Sequence, residues 1–174
     1  MDFLEIANTR QACRSYDPAR EVEREKLENV LEAARLAPSA CNAQPYLITV
    51  CTGEKKEFVA ETTRGAGMNG FTKDAPVILV ISENLQKKGV LGTLVPVDSY
   101  AAIDIGIVTA YITAEATTQG LATCIIGWFD DEKIRAVCGT EGKTRLVIAL
   151  GYAREGDPLR KKVRKTMDEL VKET

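Results

Sequence analysis

Apolar residues recur along this chain in two rhythms. Leu27, Val30, Leu31, Ala34 and Ala37 fall on one helical stripe, with Glu, Lys and Arg between them, so residues 23–37 read as an amphipathic helix. Residues 2–9 repeat that rhythm in a shorter helix, with Phe3, Leu4, Ile6 and Ala7 on one side. Residues 54–64 read as a third helix, ended by Gly65-Ala66-Gly67. Residues 97–119 leave few polar positions; a helix apolar nearly all round belongs in a core or at a subunit interface, and Gly120 ends it. The second rhythm is continuous. Residues 75–81 and 146–152 are apolar runs of buried strand type, the first opened by Pro76, and residues 121–128 are a short apolar strand or turn. Residues 46–50, Tyr-Leu-Ile-Thr-Val, have strand composition. Phe129-Asp130-Asp131-Glu132-Lys133 starts another helix with acids in its first turn, where the dipole favours them. Residues 68–74 are polar and glycine-broken and read as a loop. Residues 87–96 read as an irregular, mobile loop at the rim of a site. Helix–strand alternation by itself suggests a doubly wound parallel sheet.

One stretch departs from both rhythms. In Ala37-Pro38-Ser39-Ala40-Cys41-Asn42-Ala43-Gln44-Pro45-Tyr46, two prolines bracket three polar side chains separated by small residues. Pro38 cannot continue the preceding helix and pushes Ala37 out of the α region. A polar turn fixed between a helix and a strand suits a planar polar ligand; an ordinary helix-to-strand connection has the same outline.

Composition narrows the function classes. The chain has 174 residues, 45% hydrophobic and 28% charged, which fits a single domain over 1–174. A net charge of -2 makes no case for nucleic-acid binding. No run is long and apolar enough to span a membrane, and the N-terminus does not resemble a signal peptide. The five cysteines are scattered with no CxxC pair, so neither a disulfide framework nor a zinc site is indicated, and the expected compartment is the cytoplasm. There is no histidine. That removes Ser-His-Asp and Cys-His catalysis, so an enzyme of this sequence relies on a bound cofactor for its hard step.

Three polar clusters stand apart from the apolar pattern: Arg10/Arg14, Ser39/Asn42/Gln44 and Lys162/Arg164. Two are cationic, without a Walker loop or GxGxxG, which is consistent with a mononucleotide phosphate held by scattered arginines and lysines. Here the chain resembles the nitroreductase-like family of FMN-dependent oxidoreductases. The residues carrying the resemblance are Arg10 to Tyr16, the Ala37 to Tyr46 turn, Ala75-Pro76-Val77, Gly120-Leu121 with Cys124 and Gly127, Leu150-Gly151-Tyr152, and Lys162-Val163-Arg164. They run in the family's order along nearly the whole chain.

The resemblance implies an α+β fold with a mixed, mainly antiparallel sheet flanked by helices. It also implies a homodimer with shared active sites, bound FMN, and NADH or NADPH as donor to a small acceptor such as a nitroaromatic or quinone, by a ping-pong mechanism. Carried over by position, Arg10, Gln11 and Ala12 lie along the phosphate and ribityl end, and Lys162 and Arg164 bind the phosphate. Arg14 reaches the pyrimidine edge, where a fixed cation favours the reduced flavin. Ser39 and Asn42 contact the ring from the partner subunit, Pro38 and Gln44 of the same turn count among the cofactor-binding residues, Gly127 lines the ring with backbone, and Asn69 approaches it. Gln11 stands where the family usually has Arg, Ala12 where it has Ser, and Tyr46 where it has Trp. The alternatives are a flavin-binding protein of the same fold with another role (reductive dehalogenation, flavin degradation, or binding without turnover) and an enzyme using Cys41 as nucleophile, for which no histidine is at hand.

Overall fold

The computed structural model describes residues 2–84 and 97–174, with the backbone alone of 97–99. The rim loop expected over 87–96 lies outside the described residues. Four strands, β1 (Tyr46–Cys51), β2 (Val77–Glu83), β3 (Ala122–Ile126) and β4 (Thr144–Gly151), form one sheet in the order β1-β2-β4-β3. Every neighbouring pair is antiparallel. The parallel sheet that alternation suggests does not form, because alternation records the order of elements and not which strand edges meet. A parallel contact appears at the rim of the sheet. Ala12 bridges Thr123, and the Cys13 N–H donates to the Thr123 carbonyl at 2.8 Å. Residues 12 and 13 thus lie at the free edge of β3, and Tyr16 bridges Ala153 just after β4.

The central strands are apolar on both faces, as continuous runs require. Val77, Leu79 and Ile81 of β2 point to one side and Ile78 and Val80 to the other, with the two-residue period of a strand. Against the first face pack α2 (Arg24–Arg35) and α4 (Val97–Thr118), through Val30, Ala34, Ile105, Val108 and Ile112. Against the second pack α3 (Gly53–Thr62) and α5 (Asp131–Cys138), through Val59, Ala60 and Ile134, together with the fully buried Tyr16. The Tyr16 hydroxyl donates to the Ala149 carbonyl at 3.0 Å and anchors residues 10–16 to the sheet.

Two short helices close the ends of the chain. The helix α1 (Phe3–Thr9) starts in a capping box between Asp2 and Glu5, and α6 (Met167–Leu170) in one between Thr166 and Glu169. Two local expectations change. The third helix stops at Thr62, and Gly65–Gly67 form a separate 3₁₀ turn rather than its cap. The expected loop over 68–74 contains a 3₁₀ turn, Gly70–Asp74, entered through Asn69 at φ 55°. Asn tolerates that left-handed geometry better than most residues, and Thr72 Oγ1 stabilises it by donating to the Asn69 carbonyl at 2.8 Å.

No helix among the described residues is long and apolar enough to cross a membrane. The apolar surface of α4 is nevertheless incompletely covered. Ala101, Ile105, Val108, Ile112 and Ala116 are buried, whereas Tyr100, Ile103 and Tyr111 are exposed. Between α1 and α4 runs an apolar groove of about 700 Å³, lined by Phe3, Ile6, Ala7, Gly106, Ala110 and Ile125, with Arg10 at its edge.

Candidate functional site

The cations converge at the outer edge of β3. Residues 10–14 are extended there, and the chain end after β4 returns alongside them. Lys162 Nζ donates to the Arg10 carbonyl at 2.5 Å. Gln11 holds the returning tail with both ends of its amide: Nε2 donates to the Pro158 carbonyl at 3.1 Å, and Oε1 accepts from the Arg160 N–H at 3.0 Å. The Arg160 guanidinium donates to the Ala12 carbonyl. Arg164 Nη1 donates to the Val163 carbonyl at 2.7 Å. Arg160 lies 3.7 Å from Asp157 Oδ1, but none of Arg10, Arg14, Lys162 and Arg164 pairs with a carboxylate among the described residues.

The electrostatics record the crowding. Loss of water lowers the Lys162 pKa, and the charges of Arg164, Arg10 and Arg160 lower it further. Burial raises the thiol pKa of Cys124, while Arg14, Arg10 and Arg160 pull it the other way. The charges of arginines 10, 14 and 160 are thus all felt at one residue of β3. Positive charge gathered with so little counter-charge is costly unless an anion joins it, and this donor set (guanidinium forks, an ammonium, backbone of an edge segment) suits a phosphate monoester. The residues present thus fit the phosphate end of FMN.

The predicted turn sits elsewhere in the same chain. Its three polar side chains make their hydrogen bonds within the turn. Ser39 Oγ accepts from the Gln44 N–H at 2.9 Å, and Gln44 Nε2 donates to the Asn42 carbonyl at 3.1 Å and to Asn42 Oδ1 at 3.2 Å. Cys41, Asn42 and Gln44 all have positive φ, at 52°, 54° and 46°. Left-handed geometry at three non-glycine positions costs on the order of 1–3 kcal/mol each and persists only where the surroundings impose it. Part of that imposition comes from Asp104, a buried acid inside the apolar α4, whose Oδ1 accepts from the Ala40 N–H at 3.0 Å. Asp104 is a functional candidate that reading by motif missed; its signal is that it is the single charged residue between positions 101 and 114. Pro38 is exposed beside the turn, and Tyr46 opens β1.

The structure therefore unites Arg10, Gln11, Ala12, Lys162 and Arg164 but leaves Pro38, Ser39, Asn42 and Gln44 apart from them. The turn leads into β1 at one edge of the sheet; the cations lie beyond β3 at the other. Three strand spacings, about 14 Å, separate those strands. No hydrogen bond or ion pair among the described residues joins the two groups.

Gly127 follows β3 and is exposed. Next to it, the Trp128 indole covers Gly65 so closely that a Cβ there would lie 2.4 Å from Nε1. Asn69 is turned toward its own loop, Nδ2 donating to the Thr63 carbonyl at 3.2 Å. Cys41 is exposed. No group of His, Cys, Asp and Glu able to hold a metal ion occurs among the described residues.

Residues 7–66 and 54–152 match the profile of the Nitroreductase family. The chain is 25% identical, over an alignment of 195 positions, to an oxygen-insensitive NADPH nitroreductase of Helicobacter pylori strain J99, covering 93% of this chain and 91% of that protein. Its fold superposes on a nitroreductase family protein of Streptococcus pneumoniae with a TM-score of 0.87 at 24% identity, covering 99% of this chain and 100% of the other. It superposes on an FMN-dependent nitroreductase of Clostridium difficile with a TM-score of 0.74 at 27% identity, covering 95% and 94%.

Proposed function

The chain belongs to the Nitroreductase family, and from that premise we propose that it is an FMN-dependent NAD(P)H oxidoreductase acting on a small nitroaromatic, quinone or similar acceptor. The observation that carries the reading is the gathering of cations along residues 10–14 and 160–164, beside the edge strand β3, where Arg10, Arg14, Lys162 and Arg164 have no carboxylate partner among the described residues. Bound there, FMN supplies two-electron transfer, a step that needs no protein base and so suits a chain without histidine.

The chain's own residues have defined tasks in this scheme. Lys162, Arg164 and Arg10 hold the phosphate. Arg14, beside the buried Cys124, places a permanent positive charge where the reduced ring accumulates negative charge. Gly127 brings backbone to the ring without a side chain.

The site is completed by a second copy of the chain. Ser39 and Asn42 retain donor capacity toward a ligand, the Ser39 hydroxyl proton and the Asn42 amide N–H groups having no partner among the described residues. They lie across the sheet from the cations of their own chain. A two-fold dimer burying Tyr100, Ile103 and Tyr111 of α4 would bring one chain's turn to the other's cations, twice.

One flavin pocket serves donor and acceptor in turn, so turnover is ping-pong. Double-reciprocal plots against NAD(P)H at several acceptor concentrations give parallel lines; lines that intersect in the absence of product overturn that mechanism.

A further inference from the structure

We propose that Arg160 is a further ligand of the bound phosphate and that Gln11 is the positioning residue that delivers it. The proposal rests on the FMN reading above and assigns roles to two residues of this chain within it.

The tail is the starting point. Residues 154–166 contain no helix or strand, so something else must fix them against residues 10–12. Gln11 does this by donating to Pro158 and accepting from the Arg160 N–H. An arginine at position 11 has donors only and a carboxylate has acceptors only; an amide has both, so Gln11 closes a two-point clamp that neither of those side chains can close. The chain thereby carries one cation fewer on its N-terminal segment and sets one down from its tail.

The position of Arg160 fits that exchange. One guanidinium nitrogen, Nη2, is bonded to the Ala12 carbonyl, and Nη1 lies 3.7 Å from Asp157, a long contact. Of the five N–H donors of a guanidinium, those two interactions leave donors to spare. The side chain is 42% exposed, so it is not sealed into the fold. Its charge is felt at Lys162 and at Cys124, the same two groups that feel Arg10. Arg10, Arg160, Lys162 and Arg164 thus lie close enough for their charges to bear on one another, and among them Arg160 alone has a carboxylate contact among the described residues, Asp157. A phosphate monoester near neutral pH carries a charge of about -1.5 to -2 and three acceptor oxygens, which matches that excess.

The test is titration of flavin-free protein with FMN and with riboflavin, read by quenching of flavin fluorescence. A charge-assisted hydrogen bond is worth roughly ten- to a hundred-fold in affinity, and a partly exposed one belongs at the lower end. Arg160→Ala is expected to weaken FMN about tenfold while changing riboflavin little, and raised salt should shrink the difference. Gln11→Ala is expected to produce the same selective loss, and Gln11→Ala combined with Arg160→Ala should be no worse than either alone, because both remove one device. Should Arg160→Ala fold poorly, Arg160→Gln keeps a donor for Ala12 without the charge and is expected to lose FMN selectively too.

Arg164→Ala is the control. If it lowers the FMN preference and the Arg160 variants do not, the role of Arg160 is overturned while the phosphate site stands. If no variant, Arg164→Ala included, changes FMN more than riboflavin, the phosphate reading fails and this proposal falls with it.

Discussion

Cys51 and Cys41 show how burial sorts identical side chains. Cys51 is fully buried at the end of β1; burial, and then the neighbouring Cys138 sulfur 4.0 Å away, push its pKa from the ordinary 9.0 up to about 12. The folded state therefore binds that proton more tightly than the unfolded state does. The corresponding stability is fully present below pH 9.0 and is lost as pH rises toward about 12. Cys51→Ala is expected to flatten this alkaline fall, as measured by denaturant midpoints across the window; an unchanged slope would mean the thiol is not responsible. Cys41 is exposed and is expected to be alkylated first, with activity retained. At this scale the sequence was legible where charge marked a residue. Arg10, Arg14, Lys162 and Arg164 stand out in any pattern. Arg160 and Asp104 did not, because a cation in a basic tail and an acid in a helix acquire meaning only from what they touch. The Asn69 amide illustrates the converse: the position was named, but the direction of its side chain, toward Thr63, depends on a turn geometry that no local pattern specifies.

Among the elements, those with a strong period were the easiest to read. The helix α2 and the strands β2 and β4 appear within a few residues of their expected limits, because stripes and long apolar runs each match one kind of burial. The 3₁₀ turn after Asn69 escaped because its short polar sequence has no period, and Thr63, Thr72 and Asn69 define it through mutual hydrogen bonds. Strand direction was equally hidden from local pattern and came from the family resemblance. A sharp requirement lies in the connection from α5 to β4. Gly142 approaches the end of β2 so closely that a Cβ would lie 1.8 Å from the Glu83 carbonyl oxygen, beside the hydrogen bond from the Glu83 N–H to the Lys143 carbonyl. Backbone cannot move aside as a flexible side chain can. Gly142→Ala is expected to lower stability by about 1–3 kcal/mol, in the range of overpacking substitutions, measured as a lower denaturant midpoint with an unchanged slope. An unaltered midpoint would show that the turn yields freely.

For the whole molecule, the division of the polar clusters between opposite edges of the sheet has the largest consequence. The sequence showed the clusters but not their separation, since both flank the same sheet and only strand order assigns them to different edges. Co-expression of an Arg10→Ala chain with an Asn42→Ala chain, each inactive as its own homodimer, tests the shared site. In a mixed dimer one site carries both defects and the other neither, so activity is expected to return. A mixed dimer that forms from folded chains and stays inactive contradicts a site built from two subunits. Whether this chain is a flavin enzyme drawing on a nicotinamide donor is read most directly from the visible absorption spectrum of the FMN-loaded protein without oxygen, before and after NADH or NADPH. A bound-flavin spectrum that bleaches with at least one donor and recovers when an acceptor is added is expected. Failure to retain FMN, or a bound flavin that stays oxidised with both donors, would contradict that reading.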